Sequence, residues 1–184
     1  ASGQEISLEE LVEAAGETQV LFFGEEHNDT VAHFLQDTLY TMLLNRFGTV
    51  ALSLEMFETD AQLVLDEYLA GYVGESRLKK DGRAWKNYKN DYRPLVETAK
   101  EKKQAVIAAN APRRYVSMVS QKGLNSLETL PKASRSYLPP LPIYTADSGY
   151  YARFKDAMGE VGHQMKDDVY YAQCTWDASM AYRI

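Results

Sequence analysis

One cysteine, Cys174, in 184 residues excludes an internal disulfide and any thiolate metal cage. There are three histidines, His27, His33 and His163, and no two stand at the four-residue spacing that places a pair of ligands on one helix face. Neither a Gly-x-Gly-x-x-Gly turn nor a phosphate loop with its lysine occurs, which argues against a nucleotide. Against 26 Asp and Glu stand 20 Lys and Arg, for a formal charge of −6 and a pI near 5.1. No basic stretch could track a phosphate backbone, so nucleic acid is not an expected partner. No apolar run reaches the roughly 18 residues of a membrane span. The first residues, Ala-Ser-Gly-Gln-Glu, carry no signal peptide, so the start is expected to be cytosolic or already trimmed.

What is present reads as one α/β domain over residues 1–184, with a mostly parallel sheet flanked by helices. Hydrophobic content of 45% and charged content of 25% are ordinary for a globular chain. A short helix over 6–15 is capped by Ser7. The apolar run 19–24 predicts a buried first strand, and Asp29 then caps a helix. Val31, Phe34, Leu35, Leu39, Met42, Leu43 and Phe47 recur at the spacing of a core-facing stripe, and Gly48 stops it. Strands are expected over 49–56 and 105–109. A further helix is capped by Thr59 or Asp60, and another restarts at Pro94. Residues 73–93 and 125–165 break the alternation and predict a small helical part at the carboxyl edge of the strands. The second of these opens with a proline-rich loop, 125–146, long enough to be functional.

Each predicted strand delivers polar groups at its carboxyl end. Glu25, Glu26 and His27 follow the first, Glu55 closes the second, and Asn110, Arg113 and Arg114 follow the third. Right-handed crossovers bring such ends to one edge of a parallel sheet, where α/β proteins keep their ligand crevices. A hydrolase, metal-dependent or not, is one reading of this set: Glu26 or Glu55 as base or metal ligand and His27 as proton carrier. A buried ion-pair network that fixes loops is the structural alternative.

Tyrosine is plentiful: 13 Tyr stand against 6 Phe. Tyr137, Tyr144, Tyr150, Tyr151, Tyr170 and Tyr171 crowd the last third, beside Arg153 and Lys155. Exposed aromatics with adjacent cations suit a flat, apolar, anionic ligand such as a porphyrin, and equally a tyrosine-rich protein interface.

Five segments together carry a resemblance: Phe-Gly-Glu-Glu-His at 23–27, Leu-Glu-Met-Phe at 54–57, Tyr-Arg-Pro-Leu-Val at 92–96, Ala-Asn-Ala-Pro-Arg-Arg-Tyr at 109–115, and Ala-Gln-Cys-Thr-Trp-Asp-Ala-Ser-Met-Ala at 172–181. In content and order they resemble the ChaN-like family of iron-regulated haem-binding lipoproteins. That family is related to Tiki-type proteases and erythromycin esterases, which share the Glu/His motif. The resemblance implies haem as cofactor, two porphyrins face to face at a dimer interface, and tyrosine as the iron ligand. Whether the chain is an enzyme is left open, a binding protein being the expectation over the hydrolase alternative. The resemblance implies a place in the bacterial cell envelope, as an outer-membrane lipoprotein on its periplasmic or surface side. The lipid-bearing cysteine is not in this chain, and an outer-membrane haem receptor is the expected partner. Tyr150 is the expected iron ligand, Tyr151 and Tyr144 are the alternatives, and Arg153 is placed near a propionate. The family pattern continues past the Trp-Asp-x-x-Met-Ala helix into a strand with Gly-x-Gly-His. A chain ending at Ile184 is therefore expected either to be truncated or to lack that edge of the crevice.

Overall fold

The Ser7 hydroxyl accepts from the Glu10 amide while the Glu10 carboxylate accepts from the Ser7 amide, a reciprocal cap that starts α1 (Leu8–Ala15). The Asp29 carboxylate accepts from the amides of Val31 and Ala32 and starts α2 (Thr30–Phe47), which Gly48 ends at a φ of 79°. From there the chain, described in this computed structural model over residues 5–145, 148–160 and 166–184, runs on through short elements. These are β1 (Leu52–Glu58), α3 (Gln62–Leu69), α4 (Glu75–Asp81), α5 (Tyr88–Asp91), α6 (Arg93–Glu101) and β2 (Val106–Asn110). Then come α7 (Arg113–Lys122), α8 (Lys132–Arg135), α9 (Ser148–Ala157) and α10 (Asp167–Arg183), with 3-10 turns at Thr59–Ala61 and Leu124–Thr129. The architecture is mixed α/β, 61% helical, with one two-stranded parallel sheet of β1 beside β2.

Two compact units divide the chain: Ala1–Ser53 with Val64–Ile107, and Leu54–Leu63 with Ala108–Ile184. In the first, α2 packs on α1, α5 and α6. Val12, Leu39 and Leu43 form one core cluster with Leu11, Ala15, Met42 and Val50 against it. In the second, α10 packs on α7, and both pack on the 3-10 turn at Leu124–Thr129. Its core holds Tyr115, Val116, Val119, Leu127, Leu138, Ile143 and Tyr170.

Three expectations need correction. Residues 19–24 join no strand, and Val20, Leu21, Phe22 and Phe23 are exposed. An apolar run becomes a sheet strand only if a neighbour takes its amides and carbonyls. Among the described residues, β1 and β2 pair with each other alone. Of the stripe expected on α2, Leu39 and Leu43 are buried, joined inside by His33, Tyr40 and Leu44, while Val31, Phe34 and Phe47 are 65%, 69% and 41% exposed. Finally, β1 starts later than expected. The Val50 amide is taken by the Gln104 side chain at 3.0 Å, and sheet bonding begins at Leu52, whose amide donates to the Ala105 carbonyl. Glu55 therefore sits inside β1 and not at its end.

Candidate functional site

Glu25 is the centre of the first unit's polar cluster. Its Oε1 accepts from His27 Nδ1 at 3.0 Å and from the Tyr92 hydroxyl. Its Oε2 accepts from Gln36 Nε2 at 2.6 Å and lies 3.6 Å from His33 Nδ1. Burial alone would raise the pKa of this carboxyl. The donors Tyr92, Gln36 and His27, with His33 nearby, outweigh burial and hold it below the usual carboxylate range. Charge-assisted bonds of this kind fix a side chain more firmly than neutral ones. With a donor on each oxygen, Glu25 is placed to orient other groups.

Helix α2 supplies two of these partners one turn apart, His33 and Gln36. Because Gln36 Nε2 faces Glu25, its Oε1 faces His33 Nδ1 at 2.9 Å. His33 Nε2 lies 3.2 Å from the His27 carbonyl, so this buried ring closes the turn that carries His27. The segment between α4 and α6 supplies the rest. Trp85 meets the His27 ring edge-on at 4.6 Å, and Tyr92 meets His33 at 4.6 Å. Asn87 Nδ2 donates to the His27 carbonyl at 2.7 Å and to Asp91 at 2.9 Å. The excursion at 73–93 thus braces the Glu25–His27 turn, a task its polar composition did not signal.

The His27 side chain is 49% exposed. With Nδ1 held by Glu25, its Nε2 points the other way and has no hydrogen-bond partner among the described residues. The neighbouring Glu26 is exposed.

The other strand-end residues belong to the second unit. Glu55 is half-buried within β1, and Arg113 is exposed in the first turn of α7. Arg114 pairs with Asp60 and stacks on Tyr115. Asn110 is buried at the end of β2, where its Oδ1 has no hydrogen-bond partner among the described residues. No three His, Cys, Asp or Glu side chains gather as a metal cluster among the described residues, and His163 lies outside them.

The tyrosine-rich third is more packed than expected. Tyr170 is 3% exposed, and the rings of Tyr150, Tyr151, Phe154 and Tyr171 surround it at 4.9–5.9 Å. The Tyr150 hydroxyl donates to Asp177 Oδ2 at 2.5 Å, and Gln173 Nε2 holds the other oxygen at 2.9 Å. Burial and the Asp177 carboxylate push the Tyr150 phenol well above its ordinary value. Tyr151 donates to Asp167, which Lys155 approaches at 3.8 Å. Tyr144 is 79% exposed, and Arg153 is also on the surface.

Residues 11–184 match the family described as haem-binding uptake, Tiki superfamily, ChaN. The chain belongs to this family. The fold agrees. The chain is similar to the structure of ChaN from Campylobacter jejuni, reported for its cofacial haem binding, with a TM-score of 0.70 and 18% identity. The match covers 97% of this chain and 70% of that one. No curated protein matches this ChaN-family chain.

Proposed function

We propose that this protein binds haem for bacterial iron uptake, through a tyrosine of its carboxyl-terminal third, at the interface of a haem-linked homodimer. The observation that carries the reading is the family match over residues 11–184. The side chains suit the ligand. Ferric haem supplies a hard Lewis-acidic iron, for which a phenolate oxygen is an established axial ligand. Tyr150 is fixed by Asp177 and backed by the Tyr170 ring, so its oxygen is placed in advance; Tyr151 and Tyr144 are the alternatives. Arg153, exposed on the same helix, α9, would meet a propionate.

A porphyrin is a flat disc, and one small unit covers one of its faces. Two chains related by a twofold axis would bury both exposed faces against each other, which fits the cofacial pair reported for the Campylobacter protein. A lipid-anchored place in the cell envelope and delivery to or from an outer-membrane haem receptor complete the proposal.

The hydrolase reading finds less support. Both Glu25 oxygens are taken, Glu26 is exposed away from any described partner, and no metal cluster gathers among the described residues. The test of the haem reading is a haemin titration followed by resonance Raman. Iron–phenolate modes are expected in the natural chain and should vanish in a Tyr144→Phe, Tyr150→Phe, Tyr151→Phe triple variant. Their persistence in that variant would overturn the tyrosine assignment.

A further inference from the structure

We propose that His27 forms a second iron-ligating position for a ferric porphyrin, on the first unit and independent of the tyrosines. The inference rests on the haem-binding reading above and adds a residue that it does not use. Three observations carry it.

The first is the state of the imidazole. His27 Nδ1 is committed to Glu25 at 3.0 Å, which fixes the tautomer that leaves the Nε2 lone pair outward. A carboxylate behind the ring is the usual outer support of a metal-bound histidine, because it sets ring orientation and raises the basicity of the ligating nitrogen. Here the support is built in depth: Tyr92 and Gln36 hold Glu25, and Asn87 and His33 hold the His27 carbonyl. A solvated turn histidine would need none of this.

The second is the number of ligands. Among the described residues no three His, Cys, Asp or Glu side chains form a group that could hold a metal ion, and the Glu25 carboxylate is committed behind the His27 ring at Nδ1. A bare ion would have one protein ligand there and would bind poorly. A metalloporphyrin brings four ring nitrogens of its own and asks the protein for a single axial atom, so one supported imidazole is sufficient.

The third is the surface on either side in the chain. Phe22, five residues before His27, is 79% exposed, and Val31 and Phe34, in the first turns of α2, are 65% and 69% exposed. The His27 ring itself has the Trp85 indole against it at 4.6 Å. Exposed apolar side chains close in the chain to a single outward ligand suit a porphyrin, an apolar disc with axial positions open on its metal.

The experiment uses the full 184-residue chain, haemin as the probe, and the Tyr144→Phe, Tyr150→Phe, Tyr151→Phe triple variant as background. One equivalent of haemin should remain bound to the triple variant. Pulsed EPR on chain with nitrogen-15 histidine should then show an iron-coupled imidazole nitrogen. Adding His27→Ala should abolish that binding, and free imidazole in the buffer should restore it. Glu25→Gln, which leaves the ring but loosens its support, should weaken the affinity about tenfold, within the range reported for lost outer-shell partners. Should His27→Ala misfold, His27→Gln replaces it, with far-UV circular dichroism as the check of folding. Binding to the triple variant that His27→Ala and His27→Gln leave unchanged would overturn the inference while the haem-binding reading stood. A triple variant that binds no haemin, although the natural chain binds it, would also overturn the inference and would leave every site to the tyrosines. Failure of the natural chain to bind haemin at all would instead overturn the reading on which the inference rests.

Discussion

The Gln36 amide nitrogen donates to Glu25 Oε2 at 2.6 Å, so a residue on the second turn of α2 locks a carboxylate eleven positions before it. The bond decides which way the amide faces, and its oxygen then meets His33. One helix thereby fixes both the carboxylate behind His27 and the carbonyl of His27 itself.

Stability should depend on Glu25 in a direction that its environment sets. Its folded pKa lies below the ordinary value. The stabilisation is therefore fully present above the unfolded value, about 4.3. It is lost as pH falls through the folded value. Urea unfolding of the natural chain and of Glu25→Gln should differ near neutral pH and converge in strong acid. A gap of constant size would show that the carboxylate's charge contributes nothing.

Asp29 caps the helix that carries His33 and Gln36. Replacing it with Ala should cost about 1 kcal/mol, and replacing it with Ser or Asn much less. Faster amide exchange at Val31 and Ala32 is the local sign to measure.

Leu127 and Leu63 offer a contrast in burial. Leu127 is fully buried in the second unit's core, and Leu63 is 71% exposed. Leu127→Ala should cost about 2–5 kcal/mol. Leu63→Ala should stay within about 0.5 kcal/mol. Comparable losses at both sites in thermal unfolding would contradict this packing.

The sequence exposed some of this and hid the rest for physical reasons. Caps are local, so Ser7, Asp29 and Gly48 were readable. The runs 49–56 and 105–109 became β1 and β2 with shifted ends, because strand limits depend on which neighbour offers a bond. The run 19–24 gave the same signal and joined no strand, since apolar character states a need for burial without naming what meets it. At the site, the Glu25–His27 pair is two residues apart and was visible. Tyr92 and Asn87 reach it from 67 and 60 positions away, and nothing in a local pattern reports such a distance. The tyrosine cluster was visible as composition, but its packing round Tyr170 was not.

Haem, in the proposed function, is held between two copies of this chain. Sedimentation velocity monitored at the Soret band tests it most directly, because only species that carry haem are seen. With a slight excess of chain over haemin, the Soret absorbance should travel as a dimer, at twice the 20.8 kDa mass of the chain, while haem-free protein stays largely monomeric. Haem that sediments with a monomer at tens of micromolar protein, or that does not sediment with the protein, would contradict it.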